Sequence, residues 1–261
     1  MTQSLKESLP NIFVAGCSWA RGEWQKIPPK VTHRGIMQYF EDDGYTVVDV
    51  TQARSSNSRV IKSLEEKLDK YYKEGDIVIF INADPVLDLI MPELAELNLK
   101  RNPTVSGLPK FSKYILEAGG LDNLIDRAQH NSYVELDCLA QKFNTHIHCI
   151  GSTFNNNTTL IEKFPTLNNL VMSWVYLLVG HFAEYEFINN PKFGISHTWE
   201  LAYIDLSLYT PEFAEQVSAE FAPYKKNFYI LEEGIFHPDG LHPNREGHKI
   251  LYDKITQLLN L

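Results

Sequence analysis

The stretch Asn11-Ile-Phe-Val-Ala-Gly-Cys-Ser18 decides how this chain of 261 residues folds. It is a short apolar run that ends in Gly-Cys-Ser and is followed by turn-forming residues. Such a run, bounded by turn signals, is typical of a buried strand in a parallel sheet. We therefore predict that it forms the first strand and delivers Ser18 to the strand's carboxyl end. In open α/β sheets, ligands bind at that edge.

The next two strands follow in the order that a parallel sheet requires. Tyr45–Val50 is rich in β-branched residues, and Ile77–Ile81 is a continuous apolar run. Apolar residues at helical spacing occur over about 33–42, before the first of these two strands, and over 58–73, between them. The resulting β-α-β-α-β order implies right-handed crossovers and a parallel sheet.

Each of these three strands ends in polar residues. They are Ser18 after the first strand, Ser55-Ser56-Asn57 after the second and Asn82 after the third. Because the carboxyl ends of parallel strands share one edge of the sheet, we expect these side chains to lie close together.

The remaining chain fits one domain over residues 1–261. Helical spacing predicts a long helix over 121–143 and a terminal helix over 244–259, while 145–150 and 227–231 read as strands. The segment from Arg21 to Val31 contains Gly22, Pro28 and Pro29 and is predicted to be a loop. Residues 86–120 have a weaker pattern, in which 87–99 is a candidate helix. The aromatic-rich segment 154–226 lacks βα periodicity, and we interpret it as a long insertion or cap before the C-terminal turn.

Composition excludes several classes of protein. Apolar residues make up 44% and charged residues 22%, with a net charge of −9 and no basic run, which argues against nucleic acid binding. The N-terminus lacks a signal-peptide layout, and no apolar run reaches the roughly 18 residues of a membrane span. We therefore expect a cytoplasmic protein without a membrane partner.

Cysteine and histidine spacing indicates neither disulfides nor a metal. The three cysteines show no CxxC spacing, so neither a disulfide framework nor a zinc site is predicted. His146 and His148 share one face of a predicted strand, but no carboxylate sits at matching spacing. We expect core or surface histidines here, no metal site and no cofactor.

A second stretch near the C-terminus, Asp239-Gly240-Leu241-His242, supplies partners for the serine. Ester hydrolysis needs a nucleophile, a base and a group that orients the base. Ser18 is the candidate nucleophile and His242 the candidate base. In a tight turn, Asp239 can reach the imidazole Nδ1 and leave Nε2 facing Ser18.

The oxyanion of such a reaction needs hydrogen-bond donors. Asn82 is one candidate, through its side-chain amide. The backbone N–H of Ser18 is a second, and an N–H from the turn at Arg54 is a third.

These four blocks resemble those of the SGNH (GDSL-type) hydrolase superfamily. Gly16-Cys17-Ser18 takes the place of its Gly-Asp-Ser block. Asp239 to His242, followed by Pro243-Asn244-x-x-Gly247-His248, matches its Asp-x-x-His block. The third block keeps only Asn82, and aligning the second on Ser56-Asn57 puts Arg54 or Ser55 at the place of its glycine.

The resemblance implies a three-layer α/β/α sandwich with a flavodoxin-like parallel sheet of about five strands. It also implies ester or thioester hydrolysis, often of acetylated sugars, lipids or small acyl esters. We accordingly expect a serine esterase acting on a small-molecule or carbohydrate ester, with Trp19 and Asn57 as candidate substrate contacts.

Several alternatives stay open at this point. Cys17 is a rival nucleophile, His237 a rival partner for His242, and Trp19 and Trp24 are equally suited to packing. An O-acyltransferase would use the same triad with a sugar hydroxyl in place of water. A non-catalytic binding module on a degenerate hydrolase fold would account for the altered second and third blocks.

Overall fold

The computed structural model describes residues 9–25, 30–53, 55–83, 88, 121–152, 156–174, 177–178 and 242–261. Its strands are β1 (Asn11–Gly16), β2 (Glu23–Gln25), β3 (Lys30–His33), β4 (Thr46–Thr51), β5 (Ile77–Asn82), β6 (Ile147–Gly151) and β7 (Leu167–Val171). Its helices are α1 (Ile36–Asp42), α2 (Asn57–Tyr71), α3 (Leu121–Phe143), α4 (Thr158–Ile161) and α5 (Arg245–Leu259).

A five-stranded parallel sheet in the order β4-β1-β5-β6-β7 forms the centre of the protein. The chain runs from β1 to its neighbour β4 on one side and then crosses to β5 on the other. The topological switch point, where ligands bind in such sheets, therefore lies beside the end of β1. The predicted α/β/α fold with a flavodoxin-like sheet is confirmed.

Helices cover both faces of the sheet because β1 is apolar on both. Successive side chains of a strand point to opposite faces. Ile12 and Val14 pack in one cluster with residues of α1 and α5. Phe13 and Ala15 pack in a second cluster with residues of α2 and α3. This double burial explains why the strand reads as an unbroken apolar run.

Two parts of the chain differ from their predictions. The predicted loop over 21–31 contains the antiparallel hairpin of β2 and β3, whose strands are too short and polar to give a strand signal. β7 lies inside the segment 154–226 that we interpreted as an insertion, yet it is an edge strand of the central sheet. Its exposed Asn168 and Asn169 break the apolar pattern. The expected helix at 87–99, strand at 227–231 and bulk of the insertion lie outside the described residues.

Gly16 is the residue at which β1 needs the absence of a side chain. A Cβ there would lie 2.8 Å from the carbonyl oxygen of Ile81 and 2.8 Å from Cβ of Ala20. Real Cβ atoms do not approach so closely, so glycine lets the turn after β1 fold back against β5. The glycine of the Gly-Cys-Ser block thus places the turn that carries Ser18.

Candidate active site

Ser18 is the residue of its turn that faces outward. The turn is closed by hydrogen bonds from Ala20 N to Cys17 O at 3.1 Å and from Arg21 N to Ser18 O at 3.2 Å. Cys17 and Trp19 on either side are each only 4% exposed, whereas Ser18 is half-buried. The buried neighbours fix the backbone, so the hydroxyl is presented from a rigid support.

His242 lies directly against this hydroxyl. Its Nε2 is 2.9 Å from Ser18 Oγ, although the two residues are 224 positions apart in the chain. That distance lies within the range for a hydrogen bond between a nucleophile and its base. With the proton on Nδ1, Nε2 accepts the hydroxyl proton, which is the arrangement that general-base activation requires.

The first turn of α5 holds His242 in place, because that helix starts three residues after it. Asn244 caps the helix, its Oδ1 accepting from Gly247 N at 3.0 Å. Tyr39 of α1 donates its hydroxyl to Arg245 O at 3.1 Å. Trp174 donates its indole N–H to Gly247 O at 3.2 Å.

The β2–β3 hairpin adds a charged contact to the same turn. Glu23 Oε2 accepts from the backbone N–H of Arg245 at 2.9 Å, and Glu23 Oε1 accepts from Thr32 Oγ1 at 2.9 Å. Burial opposes ionisation of Glu23. The hydrogen bonds from Arg245 N and Thr32 and the Arg245 charge outweigh that cost, so the pKa of the Glu23 carboxyl is lowered. The carboxylate also complements the positive end of the helix dipole.

Glu23→Gln should weaken the fold at neutral pH but not in acid. A carboxyl whose pKa is lowered by folding stabilises the protein above its unfolded pKa, and that stability is lost as pH falls through the folded pKa. We expect a loss of about 0.5–1 kcal/mol in the free energy of unfolding at pH 7, a range typical of charges at helix ends. Urea titrations at pH 7 and at stepwise lower pH below 5 measure it.

Glu246→Gln is the matched control, because Glu246 is an exposed acid in the same helical turn. We expect it to cost about 0.3 kcal/mol, the low end of the range for charges at a helix start. A deficit of Glu23→Gln that stays constant as pH falls would show that its charge is not what stabilises the turn.

Asn82 lies at the end of β5, beside the end of β1. It is 8% exposed, and its Nδ2 donates to Asn156 Oδ1 at 2.6 Å. A primary amide has two N–H bonds. The contact with Asn156 uses one of them.

Three other predicted site residues lie outside the described ranges. They are Asp239, the alternative His237, and Arg54. Their predicted roles as orienter of the base and as oxyanion donor stay predictions. Ser55, the alternative to Arg54, is buried, and its hydroxyl donates to Gln52 Oε1 at 3.1 Å.

The two predicted substrate contacts are both held by the protein. Trp19 packs edge-on against Trp174 with 5.5 Å between ring centroids, an environment that suits the packing alternative. Asn57 starts α2, and its amide accepts from Ala83 N at 2.7 Å and donates to Ala83 O at 3.3 Å. Asn57 therefore ties the start of α2 to the end of β5. Its contact with substrate stays a prediction.

His248 lies in the core behind the site. It is fully buried, 4.8 Å from the ring of Trp174, and burial lowers its pKa to about 3. The ring is therefore neutral at physiological pH and packs as an aromatic group. Gly35, with φ of 60°, lies against it, and a Cβ there would be 2.3 Å from His248 Nδ1.

Sequence reasoning missed the residues that support Asn82 and the Ser18–His242 pair. Asn156, Glu23, Tyr39 and Trp174 lie in segments without a periodic signal or on the outer face of an element. One signal was available for Asn156, because polar residues follow β6 just as Asn82 ends β5.

Within the described part of the chain, no helix combines the length and apolar character that a membrane crossing needs. No group of three or more His, Cys, Asp or Glu side chains in these ranges is placed to hold a metal ion.

This chain has matches among solved structures. No protein-family model and no curated protein matches this chain. Among solved structures, it is similar to the lipase/acylhydrolase from Enterococcus faecalis, with 12% identity, a TM-score of 0.38, and coverage of 95% of this chain and 94% of that one. It is also similar to TesA, with 13% identity, a TM-score of 0.36, and coverage of 95% and 97%.

Both are SGNH-type hydrolases, the family that the sequence motifs resemble. At this identity and TM-score, the chemistry of the site rests on the contacts of this chain alone.

Proposed function

We propose that this protein is a serine esterase of the SGNH type. The observation that carries the proposal is the 2.9 Å contact between Ser18 Oγ and His242 Nε2. It joins a strand-end serine to a histidine from the far end of the chain, at the edge of the sheet where ligands bind. The sequence placed the same two residues in the nucleophile and base blocks of that family.

The reaction follows from this geometry. Ser18 Oγ attacks the ester carbonyl carbon while His242 Nε2 takes the hydroxyl proton. The imidazolium then gives this proton to the departing alkoxide, which leaves an acyl group on Ser18. His242 next takes a proton from a water molecule, whose oxygen attacks the acyl carbon. The imidazolium returns this proton to Ser18 Oγ as the bond from the acyl carbon to Oγ breaks, and the carboxylic acid is released.

The remaining groups complete the proposed site. Asp239 would hold the His242 tautomer and stabilise the imidazolium. Asn82 and the backbone N–H of Ser18 would donate to the oxyanion, and each such donor typically contributes about 2.7–4 kcal/mol to transition-state stabilisation. A small acyl group, such as acetyl on a carbohydrate, is the substrate class we favour by family analogy.

Burial argues against Cys17 as the nucleophile. The thiol is intrinsically more nucleophilic than a hydroxyl once ionised. However, Cys17 is 4% exposed and belongs to the core cluster that includes Ile12 and Val14. The hydroxyl of Ser18 contacts the base.

Labelling with a fluorophosphonate probe tests the proposal. An activated serine attacks the phosphorus and becomes covalently modified, so we expect one label per chain, located on Ser18 by peptide mass spectrometry. Heating the protein before adding the probe should abolish labelling, because the Ser18–His242 contact exists only in the fold.

Cys17→Ala is the control, since it removes the rival and leaves Ser18 in place. It should label as the wild-type protein does. No labelling of the native wild-type chain would instead favour the non-catalytic binding module. A labelled protein that transfers acyl groups to an added sugar would be an acyltransferase.

A further inference from the structure

We infer that Asn156 is a positioning residue that aims the Asn82 amide at the oxyanion. The inference rests on the proposed function, because it concerns a donor of that reaction. Asn156 is 3% exposed and follows β6 in the chain. It belongs to none of the sequence blocks that resemble the family.

The backbone decides which way the Asn156 amide faces. Its Nδ2 lies 3.3 Å from the carbonyl oxygen of Val171 and 2.9 Å from Asn169 Oδ1. A backbone carbonyl only accepts, so the nitrogen of Asn156 must face β7. Its backbone N–H also donates to Met172 O at 2.8 Å, which anchors the residue to the end of β7.

This orientation determines that of Asn82 in turn. With the nitrogen of Asn156 facing β7, its Oδ1 faces Asn82 and accepts from Asn82 Nδ2 at 2.6 Å. Asn82 must therefore present its nitrogen, rather than its oxygen, to Asn156. Without Asn156, the Asn82 amide would be able to rotate and turn its oxygen toward the site.

The second N–H of Asn82 then has a defined direction. The two N–H bonds of a planar amide diverge by about 120°. One is directed to Asn156, which is attached to β7. β5 lies between β6 and β1 in the sheet, so the other N–H is left for the β1 side, where Ser18 lies. This is where the oxyanion forms when Ser18 attacks.

A double-mutant cycle on kcat for p-nitrophenyl acetate tests the inference. Asn156→Ala should lower kcat about 10- to 100-fold, as misplacement of a catalytic group does, and change KM less than about twofold. Asn82→Ala should lower kcat by about 10²- to 10³-fold. Adding Asn156→Ala to Asn82→Ala should lower it no further, because Asn156 acts through Asn82.

Asn157→Ala is the matched control for local damage. Asn157 caps α4 through Leu160 N and does not contact Asn82 among its described hydrogen bonds. It should lower thermal stability and leave kcat unchanged. If Asn156→Ala does not fold, Asn169→Ala replaces it in the cycle. Asn169 is exposed, and we expect its loss to lower kcat about two- to fivefold in the wild-type background alone.

The outcomes separate this inference from the proposed function. Equal losses from Asn156→Ala with and without Asn82 would overturn the inference while leaving the esterase intact, and so would an unchanged kcat. Turnover that persists in Ser18→Ala would overturn both.

Discussion

Ser18→Ala should lower kcat for p-nitrophenyl acetate by about 10⁴- to 10⁶-fold, the range seen when the serine of a hydrolytic triad is removed. The variant keeps every described contact that builds the turn, because those bonds use backbone atoms of Cys17, Ser18, Ala20 and Arg21. Its thermal unfolding should therefore stay close to that of the wild-type protein. Assays of the purified protein, corrected for the rate of hydrolysis in buffer alone, measure the change in kcat.

Ser173→Ala is the control for removing a hydroxyl at the same sheet edge. Ser173 is buried near the end of β7 and donates to Ser152 O at 3.2 Å. We expect this variant to lose some stability and to keep its turnover within about threefold, as a substitution outside the reacting groups should. Unchanged turnover in Ser18→Ala would rule out Ser18 as the nucleophile.

His242→Ala should be nearly as damaging, with kcat lower by about 10⁴- to 10⁶-fold. Without the imidazole, the Ser18 hydroxyl has no base at 2.9 Å to take its proton. The substitution also leaves a space next to Ser18, so added imidazole should restore part of the rate. A rate that saturates with imidazole concentration would show that the lost group acts as a base.

Two further variants make the histidine experiment specific. His146→Ala removes an exposed histidine and should leave kcat unchanged. The double variant Ser18→Ala/His242→Ala should be no slower than either single variant, because the two residues act as a unit. Fully additive losses would mean that His242 contributes to something other than activation of Ser18.

The sequence predicted the site best where a chemically reactive residue lies next to a segment with a clear strand or helix pattern. β1 and β5 are apolar runs, β4 is rich in β-branched residues, and all three are followed by polar residues. The parallel sheet and the edge that carries Ser18 could therefore be predicted from the residues themselves. Ser18 and His242 were identified because each stands in a short block with a characteristic spacing. The structure adds that they lie within hydrogen-bond distance.

The supporting contacts were beyond such reasoning. Asn82 and Asn156 are 74 positions apart, and Glu23 and Arg245 are 222 apart, so no local pattern links them. β7 was missed because an edge strand needs few apolar residues. The hairpin of β2 and β3 was missed because its strands are too short and polar to give a strand signal, although its Glu23 contacts Arg245 of α5.

The two residues of the proposed pair are held in different ways. Ser18 lies in the turn directly after β1, between Cys17 and Trp19, whose side chains belong to the hydrophobic core. His242 is held less directly, because Glu23, Tyr39 and Trp174 make their polar contacts with Arg245 and Gly247 at the start of α5. Local opening of a protein begins where stability is lowest. Catalysis can therefore fail by release of the helix start, at a temperature where the sheet is still folded.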